Sequence, residues 1–235
     1  MAATHHAWGN PRTIPSYTKC PECGLEFVSD NLAVVYAQDD PAKTIDLMAG
    51  EASRDTCPFC GFSIDNAWPC LYIDPEHNAC AYLIYSDITA EHTSRAFLEG
   101  DVDIEPLDEK SATMRIVRNR RELYTTALAF HMGLDDRAIE ILKIDLLKVL
   151  MEEDGLLTDD DDPILGYTLM DVYDDALHFD IETATGIIET ATSIDAYRLF
   201  ERQLMRSSLA NLQNFTVDLD WGFYAYQVLI REGLL

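Results

Sequence analysis

One five-residue unit, Cys-Pro-X-Cys-Gly, occurs twice, in YTKCPECGLEF and RDTCPFCGFSI, and sets thiols at Cys20, Cys23, Cys57 and Cys60. A two-residue gap lets both sulfurs of a pair face one tetrahedral ion at about 2.3 Å, while the turn between them aims backbone N–H groups at the thiolates. Pro21 and Pro58 fix φ inside the turns. Gly24 and Gly61 follow the second thiolate, where positive φ is required. The chemistry predicted is a single structural Zn2+ held by Cys20, Cys23, Cys57 and Cys60. Residues 24–56 make a longer spacer than the roughly 15–20 residues of simple two-pair sites. Doubling a loop costs only about 0.6 kcal/mol, against about 10–16 kcal/mol from zinc in small domains. A thioredoxin-like redox reading is disfavoured because such motifs act singly within a βαβ pattern; iron in place of zinc stays open.

The elements that must carry the two turns follow from the flanking residues. GLEFVSDNLAVVYAQ holds two β-prone stretches, and DDPAKTIDLMAG has Asp40 as N-cap, Pro41 at N1 and Gly50 past the C-terminus of a short helix. Ile45, Leu47 and Met48 form its apolar side. In WPCLYIDPEHNACAYLIYS two β-prone runs flank a turn at Asp74–Asn78, a hairpin. Pairing Ile73 with His77 sets Cys70 opposite Cys80, two buried free thiols on one sheet face rather than a disulfide or a second metal site. His77 is expected to be a lone, exposed turn residue.

CPECG at 20–24, DPAKTIDLMAGE at 40–51, CPFCG at 57–61 and LYIDPEHN at 71–78 together resemble the bacterial CpXC family. The likeness continues through RNRRELYTTALAFHMGLDDRAIEILKIDL at 118–146. It implies a four-cysteine metal domain of unassigned biochemical role, with ligands at Cys20, Cys23, Cys57 and Cys60. Cys70 and Cys80 lie outside the family motif.

Further along, 115–132 is expected to be one helix ending at Gly133, and Asp135 or Asp136 caps a second with an apolar stripe of Ile139, Leu142, Leu146, Val149 and Leu150. The two are expected to form an antiparallel hairpin. Arg115, Arg118, Arg120 and Arg121 make a dense basic cluster, read as internal ion pairs before an anion site. Asp159–Pro163 marks a loop, without the alternating ligands of a calcium-binding EF-hand. LGYTLMDVY, ALHFDIETA and GIIETAT read as an antiparallel meander. Two helices close the chain, one capped by Asp195, the other after Asp220 with Trp221, Phe223, Tyr224 and Tyr226 as core or as a self-association face.

The expected class is α+β: a zinc-ribbon-like four-cysteine domain with β-hairpins, a helical hairpin, then a small antiparallel sheet with C-terminal helices. The expected boundaries are a flexible tail over 1–17, the zinc domain over 18–90, a linker and helical hairpin over 91–155, and an α+β region over 156–235. Seventeen Lys and Arg face 42 Asp and Glu, a formal charge of −25. Each of the three folded segments is net acidic, so phosphate backbones and anionic lipid are repelled. No run of 18 apolar residues and no leader pattern occurs, which predicts a soluble, cytoplasmic chain. The partner expected is a protein, met by the 41–49 helical arm, with a homo-oligomer allowed and no nucleic acid or membrane. The competing readings are an enzyme seated in the C-terminal half and a nucleic-acid-associated zinc ribbon, the latter opposed by the charge; GxSxG, HExxH, P-loop and GxGxxG motifs are all missing from the sequence.

Overall fold

In the computed structural model the described residues are 13–38, 41–48, 54–65, 68–85, 104–108, 110–152 and 164–235, with scattered positions between 92 and 99. The chain is mixed α+β and divides into two compact units, residues 1–120 and 121–235. That boundary falls inside the expected 91–155 segment.

The first unit holds two small hairpins and one larger sheet. Strands β1 (Thr13–Lys19) and β2 (Glu26–Leu32) pair antiparallel, as do β4 (Arg54–Thr56) and β5 (Ser63–Asp65). β1 corrects the expected tail at residues 13–17. TIPSYTK is rich in β-formers and tolerates Pro15 because a two-stranded sheet consists of edges. Between the hairpins stand β3 (Val34–Tyr36) and the expected helix α1 (Pro41–Met48), with Leu47 buried. Asp40, Gly50 and the side chains of Ile45 and Met48 lie outside the described residues.

The larger sheet runs β3-β6-β7-β8, with β6 (Cys70–Asp74), β7 (Ala79–Leu83) and β8 (Thr113–Val117). β8 is a second correction, since its residues from Arg115 to Val117 were expected to begin a helix. Met114, Arg115, Ile116 and Val117 are all buried, so this run is buried toward both sheet faces and carries no helical stripe. The helix starts only at Arg120.

The second unit opens on α2 (Arg120–His131). It ends where Leu134 N–H bonds back to Ala129 O around Gly133, at φ 65. α3 (Asp136–Glu152) follows, capped by Asp135, whose Oδ1 accepts from Arg137 N at 3.0 Å. The expected antiparallel packing of these two helices is corrected. α3 packs instead against α4 (Ile194–Arg206) and α5 (Leu219–Arg231). α2 lies along the outer edge of β9, where Thr125 Oγ1 accepts from Leu169 N at 3.1 Å and Tyr124 donates to Met170 O at 2.6 Å.

The expected meander is present: β9 (Ile164–Tyr173), β10 (Ala176–Thr183) and β11 (Ile187–Ser193) form an antiparallel sheet in the order β11-β10-β9. Asp174 and Asp175, both at positive φ, make its first turn. The cap of α4 is Ser193 rather than Asp195, and that of α5 is Asp218, whose side chain accepts from Trp221 N. The short polar chain two residues earlier is the one that reaches the free N–H groups in each case.

Helices α3 and α5 cross in close contact at Gly222. A Cβ there would stand 2.6 Å from the backbone oxygen of Glu140, which a side-chain rotation cannot relieve. Gly222→Ala is therefore expected to cost about 2 kcal/mol through forced separation of the helices. Urea denaturation measures this, and an unchanged midpoint would contradict the crossing.

Candidate metal centre

Each Cys-Pro-X-Cys-Gly unit forms the tip of a hairpin, and the two tips have the same hydrogen bonds. Cys20 N donates to Leu25 O and Gly24 N to Cys20 O; Cys57 N donates to Phe62 O and Gly61 N to Cys57 O, all at 2.9 Å. Gly24 and Gly61 sit at φ 73 and 76, as the repeated glycine requires. A Cβ at either would meet no atom within 4 Å, so the constraint is backbone conformation alone. Gly24→Ala and Gly61→Ala are each expected to destabilise the hairpin tip by about 1–2 kcal/mol. The readout is faster metal loss to a chelator, and an unchanged rate in both variants would refute the strain argument.

The four sulfurs lie within 4.8 Å of one another, with Cys20 Sγ 3.6 Å from Cys60 Sγ and Cys23 Sγ 3.7 Å from Cys57 Sγ. These separations exceed an S–S bond of about 2.05 Å. They match the edge of about 3.8 Å expected of a tetrahedron with metal–sulfur distances of about 2.3 Å. All four thiols are free, Cys20 and Cys57 buried, Cys23 and Cys60 exposed. The four cysteines thus fit a metal ion, and each hairpin contributes one buried and one exposed ligand.

Behind the sulfurs, Ile64 and Phe27 occupy equivalent places in the two hairpins and pack against Cys20 and Cys57. Buried Ser29 of β2 donates its hydroxyl to Asp55 of β4, tying one hairpin to the other. Asn31, also buried, donates to Ser16 Oγ at 2.6 Å and to Ile14 O across β1.

Without metal the thiols share protons unequally. Burial raises Cys57, but the N–H groups of Phe59 and Cys60 and the neighbouring thiols outweigh it, bringing Cys57 down to about 7. At Cys60 the Phe62 N–H lowers the value, yet burial and the three surrounding sulfurs push it up to about 12.

A model of the CpXC protein family matches residues 18–143, from just before the first hairpin tip to the middle of α3. The chain belongs to the CpXC family. No curated protein and no solved structure matches it. The CpXC match contains all four cysteines and reaches Lys143, taking in most of the helical stretch that carried the resemblance.

Within the CpXC-matched region the other singled-out residues are placed differently. Cys70 pairs with Leu83 and Cys80 with Ile73, so the register is shifted from the one expected. The shift is odd, which puts Cys70 and Cys80 on opposite sheet faces. Its cause is the turn: Asp74 pairs with Ala79, and its buried carboxylate accepts from the N–H groups of Glu76 and His77. Both thiols are buried, and burial pushes each up to about 12, although Arg115 lowers Cys80. They are poor nucleophiles. His77 is exposed as expected but not lone, its Nδ1 lying 3.0 Å from Asp74 Oδ2, an oxygen to which Tyr72 also donates at 3.3 Å. Only the side-chain hydrogen bonding of Asp74 could have announced that pair, and a turn reading by residue type does not reach it.

The arginine cluster is dispersed by the strand-to-helix change: Arg115 is buried in β8, while Arg121 pairs with Glu182 across the second unit. His131 is exposed at the end of α2, and His178 stacks flat on Tyr173 with ring centroids 3.8 Å apart. Of the C-terminal aromatics, Tyr226 is buried, whereas Phe223 and Tyr224 are more than half exposed. Asp159–Pro163 lies outside the described residues. Among the described residues the four cysteines are the one group of three or more His, Cys, Asp or Glu donors able to hold a metal ion. No helix among those residues is long and apolar enough to cross a membrane.

Proposed function

We propose that this CpXC protein binds one structural Zn2+ through Cys20, Cys23, Cys57 and Cys60, in a zinc-ribbon-like arrangement. Its role is that of an interaction or adaptor module for another protein, inside a reducing compartment such as the cytoplasm. The observation that carries this reading is the convergence of four sulfurs to within 4.8 Å of one another, with contacts of 3.6 and 3.7 Å across the two hairpins. Four thiolates complete the coordination of zinc and leave no position for substrate or water, so the metal supplies folding energy and not Lewis-acid chemistry. Tetrahedral sulfur ligation suits both zinc and iron. Metal analysis and X-ray absorption of protein purified from cells separate them: one zinc per chain with four sulfurs at about 2.3 Å is expected. Iron, an oxygen or nitrogen ligand, or substoichiometric metal would overturn the assignment.

The adaptor role draws support from apolar side chains held in solvent around the metal: Leu25 and Phe62, at equivalent places after the two tips, and Phe59 between Cys57 and Cys60. Such side chains, displayed on a rigid metal-tied turn, suit a protein contact. The formal charge of −25 opposes a nucleic-acid partner. Affinity purification from the native host tests the role. A protein retained by the wild type and lost with Phe59→Asp supports it; identical profiles refute it.

A further inference from the structure

We propose that the free edge of β11 pairs with β11 of a second copy of this chain, antiparallel about a two-fold axis at Thr190, joining two three-stranded sheets into one of six strands.

The two edges of this sheet are treated differently. Along β9, α2 supplies Thr125 and Tyr124 to the strand's backbone, Arg121 lies over Gly166, and the register with β10 is interrupted by two irregularities. Covering an edge and breaking its regularity are the usual defences against pairing with another chain. β11 has none of these among the described residues. It pairs with β10 without a register shift from Ile187 to Ser193, and its sequence IIETATS contains no lysine and no proline.

The direction of its free backbone groups follows from the two ends of the hairpin. Thr183 N donates to Gly186 O at 2.8 Å, and Ile194 N donates to Asp175 O at 2.8 Å. By alternation, the even-numbered residues of β11 bond to β10, and the N–H and C=O groups of Ile187, Glu189 and Ala191, with the N–H of Ser193, point away from the sheet; the Ser193 C=O is taken by the first turn of α4.

The occupant is chosen by the strand's own composition. Glu189 is the single charge in β11. A two-fold axis at Thr190 sets Glu189 opposite Ala191 of the other copy and Ile187 opposite Ser193, so outward groups meet outward groups over the whole strand. This makes about six backbone hydrogen bonds. Moving the axis to Glu189 would oppose two acids directly, which destabilises a pair. Asp180 stands one strand inward. Its two copies would be three strand spacings apart, about 14 Å, beyond the screening length of about 8 Å at physiological salt. The nearest acids are the two Glu189 side chains, diagonal neighbours about 7–8 Å apart across the seam, a repulsion that a lysine at 191 relieves.

Sedimentation equilibrium on the full-length, metal-loaded protein tests the proposal. The wild type is expected at twice the monomer mass of 26.5 kDa. Ala191→Pro deletes one outward N–H and no bond to β10, and is expected to be monomeric. Ala191→Glu places an acid against Glu189 of the other copy and should weaken dimerisation about tenfold, whereas Ala191→Lys should tighten it. These two charge variants decide the matter if the proline variant misfolds. A wild type that stays monomeric throughout the concentration range overturns the proposal. So does a dimer equally stable with glutamate and lysine at 191.

Discussion

Cys57→Ser is expected to lose the metal and to melt two segments selectively, residues 13–32 and 54–65, while leaving the rest of the chain folded. These segments are the β1–β2 and β4–β5 hairpins, each a separate two-stranded sheet. An isolated two-stranded sheet is marginal in water. The apolar cluster found behind the sulfurs is small, with Ile64 and Phe27 against Cys20 and Cys57. Hydrogen bonds such as Ser29 to Asp55 hold only while both hairpins are already in place. On the zinc assignment proposed above, metal binding, worth about 10–16 kcal/mol in small domains, is the main stabilising term in this part of the protein. The sheet β3-β6-β7-β8 depends on it far less, because Val35, Tyr72, Ile73, Cys80, Ala81 and Ile116 are almost wholly buried within it. Hydrogen exchange read by mass spectrometry should show amides of 13–32 and 54–65 exchanging at least ~10³-fold faster in the variant, a change of about 4 kcal/mol. Peptides covering 70–83 and 164–193 should keep their protection. A strong chelator should give the same map with the wild-type chain. Equal protection of both hairpins with and without metal would show that the cysteines are not what holds them.

The legibility of these features in the sequence followed the range of the interactions involved. The four cysteines were readable because their geometry is local: two thiols, a proline and a glycine specify each tip, and both tips satisfy it with the same two backbone bonds. The meander was readable for a similar reason, since Asp174 and Asp175 punctuate β-prone runs and accept positive φ. What failed was set at longer range. Met114–Val117 has too few residues to display a period, and its neighbour β7 lies far back in sequence, so its apolar character was absorbed into the helix that follows. The Cys70–Cys80 register turned on a four-residue loop closed by the Asp74 carboxylate, and one residue's slip reverses every side chain of a strand. The packing of α3 against α4 and α5 rather than α2 is a tertiary choice. Its one local trace is Gly222, whose purpose is visible only once Glu140 is opposite it.

Lys143→Met is expected to destabilise the second unit by about 3–5 kcal/mol, the usual consequence of leaving a buried charge without its partner. Lys143 Nζ lies 2.6 Å from Glu140 Oε1, with side-chain exposures of 5% and 9%, and the ammonium also sits 5.5 Å from the centre of the Tyr167 ring. Burial raises the Glu140 carboxyl above its ordinary 4.5, while Lys143 pulls it down. Removing the lysine leaves burial unopposed, so the folded-state value rises further. A carboxyl whose pKa is higher folded than unfolded keeps its proton longer in the folded protein. The associated stability is fully present below the unfolded value and is lost as pH rises through the folded one. The penalty of Lys143→Met should accordingly be small near pH 4.5 and grow toward pH 8, the opposite of a simple cavity, whose cost does not depend on pH. Glu140→Gln combined with Lys143→Met removes both charges and should recover most of the loss, because a buried pair replaced as a whole is often close to neutral. Urea midpoints of the single and double variants across that pH interval measure both effects. A penalty that is flat with pH, or a double variant no better than the single, would mean that the methionine is felt as a shape and that Glu140 finds another partner for its charge.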